Sequence, residues 1–81
     1  MIVFTEHAKG QLIERELSEM FILNSVKNPN IIKRQKDGRF QYIKSFKQKN
    51  KLFMLVCIVE KSLNTILVIT VFKTSKIKKY L

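Results

Sequence analysis

The chemistry open to this 81-residue chain rests on one histidine, His7, a set of arginines and lysines, and Tyr80 next to the C-terminus. His7, Gln11 and Arg15 recur every four residues, a spacing that lines side chains along one ridge of a helix. RNA asks for little more than such a set, because its own 2′-hydroxyl is the nucleophile. A base removes that proton, cations hold the charge of the phosphorane, and an acid protonates the leaving oxygen. On this reading His7 is the general base and Arg15 the phosphate clamp, with no metal and no cofactor. The competing reading makes His7 a surface residue in a first helical turn, with no part in catalysis.

Other chemistries find few residues. The carboxylates are Glu6, Glu14, Glu16, Glu19, Asp37 and Glu60. Four of them fall on the N-terminal helices at spacings that suit solvated ion pairs, so the sequence predicts no catalytic metal. Gly10 and Gly38 stand alone, without a phosphate-cradling loop. The single cysteine, Cys57, lies inside an apolar run and lacks the exposed, electropositive setting of a reactive thiolate.

Sixteen Lys and Arg against six Asp and Glu give a formal charge of +10. Positive charge at that density implies a polyanion or an acidic protein as partner. It gathers in the part of the chain that reads as strands. Lys33, Arg34, Lys36 and Arg39 surround one expected hairpin, Lys44, Lys47, Lys49 and Lys51 the next, and Lys73, Lys76, Lys78 and Lys79 the C-terminus. The RNA-binding candidates are Lys33, Arg34, Lys44, Lys47, Lys73, Lys76 and Lys79. Phe40, Tyr42 and Phe46 lie among them as residues that could stack on unpaired bases or else pack in a core.

The elements that position these residues follow from patterning. Thr5 and Ser18 each precede a glutamate and read as N-caps, opening one helix over 6–16 and a more apolar one that stops at Asn28-Pro29. Strands are expected at 31–35 and 39–46, joined by a Lys36-Asp37-Gly38 turn. Two nearly unbroken apolar runs, 52–59 and 66–72, read as central strands covered on both faces. Thr74 or Ser75 caps a last helical turn with Ile77 and Leu81 inward and Lys76 and Lys79 outward. Met1 to Phe4 is a short apolar lead-in. The expected fold is α+β, a single domain with two N-terminal helices packed on a four-stranded, mainly antiparallel sheet and a short C-terminal helix. Either that helix, a second copy in a homodimer or another partner covers the far face of the central strands, and a partner is favoured. Neither apolar run reaches the ~20 residues of a membrane-spanning helix, and the N-terminus lacks the pattern of a signal peptide. The expectation is a cytoplasmic protein without membrane contact.

The stretches FTEHAKGQLIERELS, NPNIIKR, GRFQYIK, KLFMLVCIVEKSLNTILVITVF and KTSKIKKY resemble a small bacterial family of unknown function associated with BrnT and the RelE/ParE toxin superfamily. The resemblance covers nearly the whole chain. It implies a compact toxin-like α+β fold, cleavage of mRNA, ribosome-bound in some branches, and an acidic antitoxin as partner. In the ribosome-dependent RelE branch a tyrosine near the C-terminus acts with several basic residues. Tyr80 matches that tyrosine, with Arg39 and Lys44 as basic residues, while packing of the Tyr80 ring on the sheet is the structural alternative. The resemblance thus adds Arg39 and Tyr80 to His7 and Arg15 as candidate catalytic residues. The ParE branch instead poisons a topoisomerase, which leaves a non-catalytic binding or inhibitory module as the second expectation.

Overall fold

Two side-chain caps set where the helices begin. The Thr5 hydroxyl accepts from the Ala8 N–H at 3.0 Å and the Ser18 hydroxyl from the Phe21 N–H at 3.3 Å. Each satisfies an N–H that the first helical turn leaves without a partner. In the computed structural model, which describes residues 1–80, the element order is β1 (Ile2–Phe4), α1 (Glu6–Glu14), α2 (Glu19–Lys27), β2 (Ile31–Arg34), β3 (Phe40–Gln48), β4 (Lys51–Lys61), β5 (Ile66–Thr74) and α3 (Ile77–Tyr80). The expected inward position of Leu81 lies outside the described residues. Helix α1 ends earlier than the polar pattern suggested, because Glu16 turns to a φ of 53°.

The sheet corrects one expectation. It has five strands in the order β1-β5-β4-β3-β2 and is mixed, not four-stranded. The apolar lead-in is a strand, β1, which pairs in parallel with the start of β5 through Ile2↔Ile66, Val3↔Leu67 and Phe4↔Val68. The remaining pairings are antiparallel. Both tight turns use backbone with positive φ. Gly38 sits at 90° between β2 and β3, while Lys49 and Asn50, at 52° and 63°, form the two-residue connection from β3 to β4. Positive φ at both central residues is what matches a two-residue turn to the twist of its strands.

Helices α1 and α2 cover one face of the sheet. The core there joins Ala8, Leu12, Ile22 and Val26 to Tyr42, Leu55, Cys57, Val59, Val68 and Val71. On the other face Ile43, Met54 and Val56 pack with Ile31, Ile58, Phe72, Ile77 and Tyr80. Helix α3 packs Ile77 and Tyr80 against this cluster, with the Tyr80 ring beside Phe72. A bulge at Ile58/Val59 lets Val68 and Val71 both face the helices, although their spacing would otherwise set them on opposite sides. Among the described residues no helix is long and apolar enough to cross a membrane.

Beyond Phe4, β1 ends and helix α1 takes over the edge of β5. The Val68 carbonyl accepts from the Thr5 N–H at 3.0 Å. Further along, the Val71 N–H donates to Gln11 Oε1 at 2.8 Å and the Val71 carbonyl accepts from an Arg15 guanidinium nitrogen at 3.0 Å. The polar ridge of α1 therefore replaces a sixth strand, pairing backbone groups that a buried edge cannot leave open.

Candidate nucleic-acid interface

Alternation along the strands sorts the basic residues. On β3, Lys44, Phe46 and Gln48 share the helix-covered face with Tyr42, and the register sets Phe46 opposite Phe53, Gln48 opposite Lys51 and Lys44 opposite Leu55. Leu55 in turn pairs with Lys73 on β5. Lys44 and Lys73 thus stand on one face two strand spacings apart, about 10 Å. The helices do not reach this end of the sheet. Phe21, in the first turn of α2, meets Phe46 edge-on with centroids 5.1 Å apart, and past it Gln48, Lys51 and Lys73 are exposed.

Phe46 stacks on Phe53 at 5.8 Å with an interplanar angle of 25°. The Lys73 ammonium lies 4.9 Å from the Phe53 centroid and the Lys51 ammonium 5.6 Å. Lys73 also donates to Gln48 Oε1 at 3.1 Å. Gln48, Lys49, Lys51, Phe53 and Lys73 line a shallow depression of about 320 Å³ beneath the β3–β4 turn. Among the described residues no carboxylate lines it. The ring holds ammonium groups near its negative face; Lys51 and Lys73 are exposed and Phe53 is half-buried. Phosphates and unpaired bases are the ligands such a surface fits.

The other candidates lie elsewhere. His7 is exposed in the first turn of α1. Arg15 is two turns along the same ridge, about 12 Å further by the helical rise, where its guanidinium is bonded to the Val71 carbonyl. Arg39 is at the opposite end of the sheet, paired with Glu60 at 3.1 Å. Tyr80 is on the far face, its ring 5.9 Å from that of Phe72. The fold does not bring these four together. Among the RNA-binding candidates, Lys44 and Lys73 converge on the Phe53 site, whereas Lys47, opposite Leu52, faces the other side of the sheet. Lys33 and Arg34 belong to the β2–β3 hairpin, where the Arg34 guanidinium lies 6.0 Å above the Phe40 ring. Lys76 and Lys79 are on the α3 side, with Lys79 5.6 Å from the Tyr80 ring. Tyr42, one of the aromatics considered for stacking, is in the core.

Gln48 and Phe53 complete the site together with Lys51, which the sequence marks only as one of the lysines around the second hairpin. The two-residue turn at Lys49-Asn50 was the available signal, since it fixes the register that sets Phe53 beside Phe46. Cys57, buried under the helices, has its thiol pushed up to about 12 by loss of solvation, which leaves it in the inert, protonated form. Among the described residues no three His, Cys, Asp or Glu side chains gather at one point.

No curated protein and no solved structure matches the chain. A family model described as a domain of unknown function, DUF4258, matches residues 4–73, a span that includes every residue lining the depression and stops before Lys76 and Tyr80. The chain therefore belongs to the DUF4258 family.

Proposed function

We propose that this protein is a toxin-like RNA-binding protein of a toxin–antitoxin pair, which holds single-stranded RNA across the open end of β3, β4 and β5. The observation that carries the reading is the stacked Phe46–Phe53 pair flanked by the Lys51 and Lys73 ammonium groups, with no carboxylate among the described residues lining the site. Aromatic faces accept any unpaired base and the ammonium groups follow the phosphates, a combination suited to single strands. A formal charge of +10 supports the same class of ligand and an acidic antitoxin as protein partner. Kinship with RelE/ParE toxins belongs to this proposal, as does residence in the cytoplasm.

Metal-independent cleavage of the bound RNA, ribosome-associated or free, is the second reading. It is favoured by the exposure of His7 on the helix that also carries Arg15 along the edge of β5. Binding takes precedence because His7, Arg15, Arg39 and Tyr80 are dispersed over the fold.

The test is a titration of labelled single-stranded RNA at several salt concentrations, followed by incubation of the same RNA with the protein alone in EDTA and, separately, with translating ribosomes in magnesium buffer. Binding should weaken linearly on log–log axes, with a slope of about −0.7 for each phosphate neutralised. A flat salt response would overturn the RNA reading. Cleavage products ending in a 2′,3′-cyclic phosphate, lost in His7→Ala, would establish the second reading. Intact RNA under every condition would remove it and leave binding.

A further inference from the structure

We infer that the depression beneath the β3–β4 turn favours guanine over adenine among the unpaired bases of a bound RNA, a deepening that rests on the RNA-binding reading above. Phe53 forms one wall of the site and offers stacking to any base, so it cannot discriminate. Discrimination must come from the polar side chains around the ring, which are Gln48, Lys49, Lys51 and Lys73.

The three lysine ammonium groups are donors with no acceptor. Gln48 is the one side chain in the lining with both kinds of group, and Lys73 decides how it is turned. Gln48 Oε1 lies 3.1 Å from Lys73 Nζ. An ammonium cannot accept, so the atom facing it has to be the amide oxygen, and the NH₂ points away from Lys73. With that oxygen engaged, the side chains offer an incoming base hydrogen-bond donors.

The base edges answer such a lining differently. Guanine presents two adjacent acceptors, O6 and N7, and both can be met. Adenine presents N7 beside the N6 amine, so it would turn a donor toward donors and lose the hydrogen bond that amine had in water, whereas unpaired cytosine can turn its adjacent N3 and O2 acceptors to the site and is accepted with guanine. A uracil O4 gives one acceptor, which places uracil between the two groups. The ammonium groups reinforce the order, because the carbonyl O6 of guanine carries the partial negative charge they favour.

The experiment is fluorescence anisotropy of labelled single-stranded RNA pentamers, A-A-N-A-A, with N as guanine, adenine, cytosine or 7-deazaguanine, on the wild-type protein and on Gln48→Leu. The guanine pentamer is expected to bind about tenfold tighter than the adenine one, with the cytosine pentamer closer to guanine than to adenine. 7-Deazaguanine keeps the stacking surface but lacks the N7 acceptor, and should lose most of that advantage. Gln48→Leu should bring guanine and adenine within a few-fold of each other while leaving the salt slope of binding unchanged. Equal affinity for guanine and adenine in the wild type, with a steep salt dependence, overturns this inference and leaves the RNA-binding reading standing. Failure of every pentamer to bind at low salt overturns both.

Discussion

Replacing Gln11 with leucine tests the most specific structural feature of the chain, the use of α1 as a substitute for a strand at the β5 edge. Gln11 is 7% exposed and Val71 fully buried. The Val71 N–H donates to Gln11 Oε1 at 2.8 Å. Leucine fills a similar volume but cannot accept, so a buried N–H loses its partner at a cost of about 1–3 kcal/mol. A domain of this length has a total stability on the order of 4–12 kcal/mol. The midpoint of thermal unfolding should therefore fall by about 5–15 °C. Arg15→Ala removes the donor to the Val71 carbonyl at a solvent-exposed side chain, where water can replace it, and should cost about 1 kcal/mol or less. Urea denaturation followed by circular dichroism would give both values, and the slope of stability against urea should not change. Amide hydrogen exchange at Val71 gives a second readout, with protection in the wild type reduced in Gln11→Leu. A Gln11→Leu protein as stable as the wild type to within about 0.5 kcal/mol, with Val71 still protected, would show that α1 does not close this edge.

Two further outcomes follow from the same packing. Gly10 is inside α1 and a methyl group added there meets nothing within 4 Å, so Gly10→Ala should raise stability by about 0.5–1 kcal/mol in urea denaturation; a loss would mean that the helix approaches another element closely at that point. Cys57 should stay unreactive toward a thiol reagent at pH 8 until the protein unfolds, because burial lifts its thiol to about 12. The unfolded chain releases that proton from about pH 9 while the folded one keeps it to about 12. The contribution of Cys57 is therefore fully present below pH 9 and should be lost at about 1.4 kcal/mol per pH unit above it. Subtracting the pH profile of Cys57→Ala isolates that slope, and identical profiles would contradict the burial.

Much of the fold is legible locally. Thr5 and Ser18 declare the helix starts through short polar side chains followed by a glutamate. Pro29 bars continuation of α2, and the two apolar runs become β4 and β5. Three features escape because they depend on partners distant in sequence. Strand β1 is three residues long, too short for a period, and its identity comes only from Ile66 to Val68 more than sixty residues away. The four-residue spacing of His7, Gln11 and Arg15 marks a common ridge but cannot say that two of them face the β5 edge rather than a ligand. The apolar alternate face of the central strands does not by itself say that Ile77 and Tyr80, from the end of the chain, pack against it. The site followed the same division. Lysine density was plain in composition, whereas the convergence of Lys51 and Lys73 on Phe53 required the register across three strands.

The most direct test of RNA binding at the Phe46–Phe53 site compares wild type, Phe53→Ala and Lys51→Ala/Lys73→Ala in titrations of one labelled single-stranded RNA over a salt series, each variant first checked for cooperative melting. Phe53→Ala should weaken binding by about 5- to 100-fold without altering the salt slope, since stacking is lost and no phosphate contact is. The double lysine variant should make the slope shallower by about 1.4, two phosphate contacts at roughly 0.7 each. Wild-type affinity and slope in both folded variants would contradict the account, and would move any RNA bound by this protein to another part of its surface.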